Sequence, residues 1–139
     1  MILQVGVKVL LKNEEGKILM VKRNEKTYGK MKGKWDIPGG RINTNSSLME
    51  NLAREVQEET NLTITSDPKL IGAQDIIVEG ERHVVRLTYT AFTTGTPTLD
   101  LTENTEYRWS TFDELAHEEV LDTYLRGLIQ AGNLHENAW

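Results

Sequence analysis

Gly39-Gly40-Arg41-Ile42-Asn43-Thr44-Asn45-Ser46-Ser47-Leu48-Met49-Glu50-Asn51-Leu52-Ala53-Arg54-Glu55-Val56-Gln57-Glu58-Glu59-Thr60-Asn61-Leu62 is the stretch around which the chain is organised. Ser47, with Glu50 three residues on, forms a capping box and predicts that a helix starts here. Leu48 or Met49, Leu52, Ala53 and Val56 fall on one apolar stripe, and Asn61 suits a left-handed stop. Glu55, Glu58 and Glu59 lie three and four residues apart, so the helix gathers their carboxylates on one side, expected to face away from the core. Like charges at that spacing repel by roughly 0.2–0.5 kcal/mol per pair. The helix C-terminus adds a penalty of roughly 0.3–1 kcal/mol for each anion. Arg54 offsets part of this, and a divalent cation would remove the rest. Oxygen ligands without His or Cys suit Mg²⁺, or Mn²⁺, rather than zinc. Upstream, Pro38-Gly39-Gly40 is expected to end a strand and to let the backbone approach a ligand closely.

The pattern resembles the Nudix hydrolase signature: Gly, five residues, Glu, seven residues, Arg-Glu, aliphatic, any, Glu-Glu, any, Gly, aliphatic. Gly40, Arg54, Glu55, Val56, Glu58, Glu59 and Leu62 match it at the required spacing, over about a sixth of the chain. Ser46 stands where the family has its first Glu, and Asn61 where it has Gly. The Asn can adopt the same backbone conformation, whereas the Ser removes a carboxylate. The resemblance implies an α/β fold, an α/β/α sandwich with a mixed β-sheet and the signature helix beside it. It also implies hydrolysis of a phosphoanhydride bond in a nucleoside diphosphate linked to another group. Such chemistry needs neutralised phosphates and an activated water, which metal ions supply. Glu55, Glu58 and Glu59 are the expected metal ligands, with the Gly40 carbonyl as a further one and Arg54 orienting Glu58 or Glu55. In related enzymes a Glu on the loop before a late Trp binds metal or acts as a base. Glu103, six residues before Trp109, fits that place, with Glu106 in reserve.

Composition bounds the rest. The chain has 139 residues and 38% apolar content, which predicts one domain, residues 1–132, with a C-terminal tail over 133–139. With no Cys there are no disulfides, thiolate metal sites or thiol nucleophiles. No apolar run approaches the roughly 20 residues of a membrane span, and no signal-peptide pattern opens the chain, so no membrane partner and a cytoplasmic protein are expected. Net charge is −5, unevenly spread: through Arg41 ten Lys or Arg face four acids, and beyond it six face seventeen. The basic residues crowd between Lys22 and Lys34. A run of this kind is either a solvated loop or a cationic rim that attracts a polyphosphate towards the acidic helix. On the second reading Arg23, Lys34, Gly39 and Gly40 bind substrate, and Trp35 either stacks on a base or anchors the loop. Nucleic acid is not expected as the main partner of an acidic chain without a recognition motif.

Taken in order, Val5, Val7, Val9 and Leu11 alternate with Gly6, Lys8 and Leu10, a strand that a turn over Asn13–Gly16 returns through Ile18–Arg23. The polar run from Asn24 to Lys34 reads as a mobile loop. Lys69–Val78 and His83–Phe92 read as a hairpin across Glu79-Gly80-Glu81; a short strand is expected around Tyr107–Trp109, then a second capping box at Thr111–Glu114. A last amphipathic helix is expected from about Glu118 to Ala131, stopped by Gly132. The tail is expected to be loose unless Trp139 docks.

The substrate reading within this class is a nucleoside triphosphate cut to monophosphate and pyrophosphate. The alternatives are an ADP-ribose or nucleotide-sugar hydrolase, and a nucleotide-binding module without turnover, which Ser46 would favour. Monomer and homodimer are both compatible with the sequence.

Overall fold

The computed structural model describes residues 1–28 and 34–139. Its elements run β1 (Ile2–Lys12), β2 (Ile18–Arg23), α1 (Glu25–Tyr28), β3 (Trp35–Asp36), β4 (Gly39–Arg41), α2 (Leu48–Thr60), β5 (Lys69–Val78), β6 (Arg82–Phe92), β7 (Asn104–Ser110), α3 (Phe112–Ala116) and α4 (Thr123–Gln130). The strands form one mixed sheet, ordered β3-β2-β1-β6-β5, with β4 paired to β1 and β7 to β2. β1 and β6 run parallel from Ile2↔Arg82 to Lys12↔Phe92, and the β5–β6 hairpin is antiparallel, turning through Gly80 at φ +74°.

The two-residue period of β1 decides which side each residue serves. Val7, Val9 and Leu11 join Leu19, Val21, Tyr89 and Ala91 under α2, which contributes Leu52 and Val56. Leu10 joins Ile18, Met20 and Ile37 beneath Leu115 of α3 and Leu125 and Leu128 of α4. Burying each such side chain fully is worth roughly 1.5–3 kcal/mol. The sheet is therefore covered on both faces, the α/β/α sandwich expected.

Several expectations are corrected. The residues read as a loop after Arg23 begin with the single turn α1, while 29–33, with Gly29 and Gly33, lie outside the described residues. The Gly pair does not stop the sheet: Gly39 and Gly40 pair with Lys8 and Val7 as β4. The last helix does not start near Glu118. Asp122 accepts the Tyr124 and Leu125 N–H groups, an N-cap that opens α4 only at Thr123. Before it, the Trp35 N–H donates to the Val120 carbonyl and the Asp122 N–H to the Trp35 carbonyl, drawing that segment towards β3. The tail is docked, since Leu134 is buried, Trp139 Nε1 donates to the Leu10 carbonyl at 3.1 Å, and Lys12 Nζ sits 3.8 Å over the Trp139 ring. Among the described residues no helix is long and apolar enough to cross a membrane.

Candidate active site

α2 begins and ends as its sequence dictates. Ser47 Oγ accepts the Glu50 N–H while Glu50 Oε1 accepts the Ser47 N–H, and Asn61 closes the helix at φ 59°. The buried stripe, however, is Asn51, Leu52, Val56, Glu59 and Thr60; Leu48, Met49 and Ala53 are exposed. Glu59 thus continues the core side of the helix, and the three acids do not share an outward face.

Each acid has its own surroundings. Glu59 is buried behind the Gly pair: its Oε2 accepts the Gly39 N–H at 2.7 Å and its Oε1 accepts from Asn104 Nδ2 at 3.2 Å. Burial pushes its carboxyl above the ordinary value, against the pull of Lys8, the Gly39 N–H and Arg23. Glu55 lies against Gly40; a Cβ there would meet Glu55 Oε2 at 2.6 Å, so the absent side chain leaves room for the carboxylate. Glu58 points outward, its side chain 58% exposed against 14% for Glu55. Arg54 Nη1 stands between the last two, 2.9 Å from Glu55 Oε1 and 3.3 Å from Glu58 Oε2. Among the described residues no three carboxylate or imidazole side chains stand close enough together to hold a metal ion.

Gly39 has φ +147°, and a Cβ there would run into the Val7 carbonyl oxygen and the Lys8 backbone, so only Gly brings β4 this close to β1. Beside this junction a cleft of about 600 Å³ opens, bordered by Gly39, Gly40, Glu55, Arg23, Lys34 and Glu103 among the residues expected in the site. Glu58, Glu59, Arg54 and Trp35 do not line it. The correction for Trp35 has a backbone cause. It pairs with Lys22 on one side and bridges to Leu121 on the other, which turns its ring to the α3–α4 layer, where the Arg108 guanidinium covers it at 4.2 Å. The ring is packed as an anchor of that layer. Glu103 Oε2 lies 3.8 Å from Arg23 Nη1.

The cleft floor carries charges that the sequence reading passed over. Lys8 Nζ lies 3.3 Å from Asp36 Oδ2 and donates to the Ile37 carbonyl. Arg86 Nη2 bridges Asp36 at 3.3 Å and Asp122 at 3.2 Å, and Arg23 Nη2 approaches Asp36 at 3.6 Å. Burial alone would raise the Asp36 carboxyl, but Lys8, Arg86 and Arg23 together hold it well below the usual carboxylate range. Burial lowers the Lys8 ammonium, with Arg23 adding to the effect and Asp36 opposing it. One signal was present: a Lys midway through the Val-rich β1 and an Arg midway through β6 are inward charges, and buried charges come in compensating sets.

Glu55 and Glu58 offer hard oxygen atoms only, and a guanidinium already occupies the position of a cation between the two acids. A partial protein shell of one or two carboxylates, completed by water and phosphate oxygens, is what Mg²⁺ prefers. The residues fit the ion.

A NUDIX domain model matches residues 2–130. The chain belongs to the NUDIX family. Among curated relatives of this NUDIX chain, a "Putative 8-oxo-dGTP diphosphatase" of Bacillus subtilis is 32% identical over 104 residues, 75% of this chain. The NUDIX chain spans 64% of the length of that relative. A "MutT-like protein" of Streptomyces ambofaciens is 28% identical over 91% of this chain and 75% of its own. The crystal structure of a MutT protein from Methanosarcina mazei Go1 superposes with a TM-score of 0.81 at 30% identity, covering 94% of this chain and 92% of that one. A MutT NUDIX hydrolase from Burkholderia pseudomallei, 22% identical, has the same fold at a TM-score of 0.79, over 94% and 98% of the two chains.

Proposed function

We propose that this NUDIX chain hydrolyses a phosphoanhydride bond in a nucleoside diphosphate derivative with the help of Mg²⁺ or Mn²⁺, and that nucleoside triphosphates, cut to monophosphate and pyrophosphate, are its substrates. The observation that carries the reading is the pairing of Glu55 and Glu58 around Arg54, with Glu55 bordering a cleft that the cationic Arg23, Lys34 and Arg86 also line. In a cleft of about 600 Å³, nucleotide-sized by ordinary standards, Ile76, Val78 and Val84 offer an apolar wall. Lys34 and Arg23 line the same space and suit phosphate oxygens. The relatives named as an 8-oxo-dGTP diphosphatase and as MutT proteins support the triphosphate class.

Glu55, Glu58 and the Gly40 carbonyl would hold the cation, which when bound neutralises phosphate charge and activates water. Arg54 orients both acids. Glu59 fixes the Gly39 N–H from behind, so that the Gly40 carbonyl is presented from a rigid strand. Glu103, which lines the cleft beside Arg23, would take the proton of an attacking water or add an oxygen ligand.

The test is a panel of nucleoside triphosphates, nucleotide sugars and ADP-ribose with Mg²⁺, with separate detection of pyrophosphate and phosphate. Pyrophosphate release from triphosphates, reduced at least about 100-fold by Glu58→Gln, is expected. Turnover indifferent to Mg²⁺, or to Glu58→Gln, would overturn the proposal.

A further inference from the structure

Asn51 occupies the second turn of α2, where Asn is a poor choice because its amide competes with the backbone. It is fully buried, and both halves of the amide are engaged. Nδ2 donates to the main-chain oxygens of Ser46 at 3.2 Å and Ser47 at 2.7 Å. Oδ1 accepts the Asn43 N–H at 2.8 Å and Arg54 Nη2 at 2.9 Å. Arg54 Nη2 also donates to the Arg41 carbonyl at 3.4 Å, while its Nη1 reaches Glu55 and Glu58. A guanidinium is a rigid planar fork, so fixing one arm fixes the direction of the other. Ser46, at the signature position that departs from Glu, enters this network through its main-chain oxygen, an atom any residue would supply.

We propose that Asn51 is a positioning residue for the acidic pair: by holding one arm of Arg54 it aims the other between Glu55 and Glu58, a constraint that Ser46 cannot provide. The proposal rests on Glu55 and Glu58 being the acids that hold the cation. Asn51→Ala removes the acceptor for Arg54, whereas Asn51→Asp keeps that acceptor and replaces the donor to Ser46 and Ser47 by an anionic oxygen that faces their carbonyls. Loss of a residue that orients metal ligands typically lowers metal affinity about 10- to 100-fold.

The measurement is Mn²⁺ affinity of the full chain without nucleotide, followed by electron paramagnetic resonance, alongside kcat and KM for a triphosphate. Asn51→Ala is expected to lose about 10-fold in Mn²⁺ affinity and in kcat with KM changed less than about threefold, and Asn51→Asp to keep wild-type affinity within about threefold. Combined with Arg54→Gln, Asn51→Ala should add little further loss, because both act through one guanidinium. Should Asn51→Ala fail to fold, Asn51→Asp decides: retained affinity supports the role, and a 10-fold loss overturns it by making the Ser46 and Ser47 ties the ones that matter. Additive losses with Arg54→Gln also overturn it. If Glu58→Gln weakens Mn²⁺ binding and Asn51→Ala does not, this inference alone falls; if Glu58→Gln binds Mn²⁺ as the wild type does, the metal reading beneath it falls as well.

Discussion

Replacing Asp36 by Asn tests the charge cluster beneath the cleft. Asp36 is buried, accepts the Ile37 N–H at 2.8 Å, and stands within 3.6 Å of the cationic groups of Lys8, Arg86 and Arg23. Asn preserves the shape and an acceptor for that N–H but removes the charge that faces Lys8, leaving Arg86 with Asp122 and Arg23 with Glu103. Removing one partner of a buried ion pair costs about 3–5 kcal/mol, and the conserved shape places Asp36→Asn near the lower figure. With a urea slope of about 1.5 kcal/mol per M, the midpoint should fall by about 2 M.

The same substitution carries a pH signature. Lys8 is already lowered in the folded protein, by burial first and Arg23 next, with Asp36 opposing. Between that lowered value and the ordinary 10.5 the unfolded chain binds more protons than the native one, so stability rises with pH there. Without the Asp36 charge the Lys8 ammonium is pushed lower still, and the window widens downwards. The deficit of Asp36→Asn should therefore be largest at neutral pH and shrink towards pH 10, as Lys8 sheds its proton in the variant first. Urea titrations at about pH 7 and pH 10 measure it, with exposed Asp67→Asn as a control expected to move stability by less than about 0.5 kcal/mol. A deficit under about 1 kcal/mol at neutral pH, or one that does not change with pH, would refute the coupling of Lys8 to Asp36.

Three further perturbations separate architecture from chemistry. Gly40→Ala should displace the Glu55 carboxylate, lowering Mn²⁺ affinity about 10-fold while costing little stability, whereas Gly39→Ala, at φ +147° and against β1, should cost at least about 2 kcal/mol in a thermal melt. Glu59→Gln should fold within about 1 kcal/mol of wild type by urea titration, because Gln still accepts the Gly39 N–H and a turned Asn104 can offer its otherwise unpartnered Oδ1 to the new amide; a larger loss would mean that the carboxylate charge itself holds β4. Trp139→Ala removes the bond to the Leu10 carbonyl and the ring under Lys12, and should cost about 2 kcal/mol, read as a melting point lower by about 6–8 °C.

What was legible in the sequence was local. The capping boxes at Ser47–Glu50 and Thr111–Glu114, the left-handed Asn61 and the strands β1, β2 and β5 are set by neighbours a few residues apart, and they stand where the patterns put them. What escaped depends on partners distant in the chain. Nothing in Gly39-Gly40 announces a strand, because glycines carry no side-chain alternation; their strand exists through pairing with residues more than thirty positions earlier. The end of the expected last helix is real, but its beginning is displaced by backbone bonds to Trp35, far off in sequence.

Glu59 is the instructive case, since its position was legible and was misread. Leu52, Val56 and Glu59 are spaced four and three, the spacing of a helix stripe facing the core, so geometry alone turns Glu59 inwards whatever its charge. A carboxylate at such a position must find donors, and the Gly39 N–H and Asn104 are those donors. The acids of one signature therefore divide by helical phase. Glu58, about a third of a turn off the line of Leu52, Val56 and Glu59, stands at the surface. Glu55, only about a sixth of a turn off it, is half-buried, and Arg54 lies between the two, while Glu59 braces the strand that carries Gly40. Crowded like charges on a helix are tolerated here because Arg54 joins Glu55 to Glu58, while Glu59, which still feels the Glu55 charge, is met by the Gly39 N–H and Asn104.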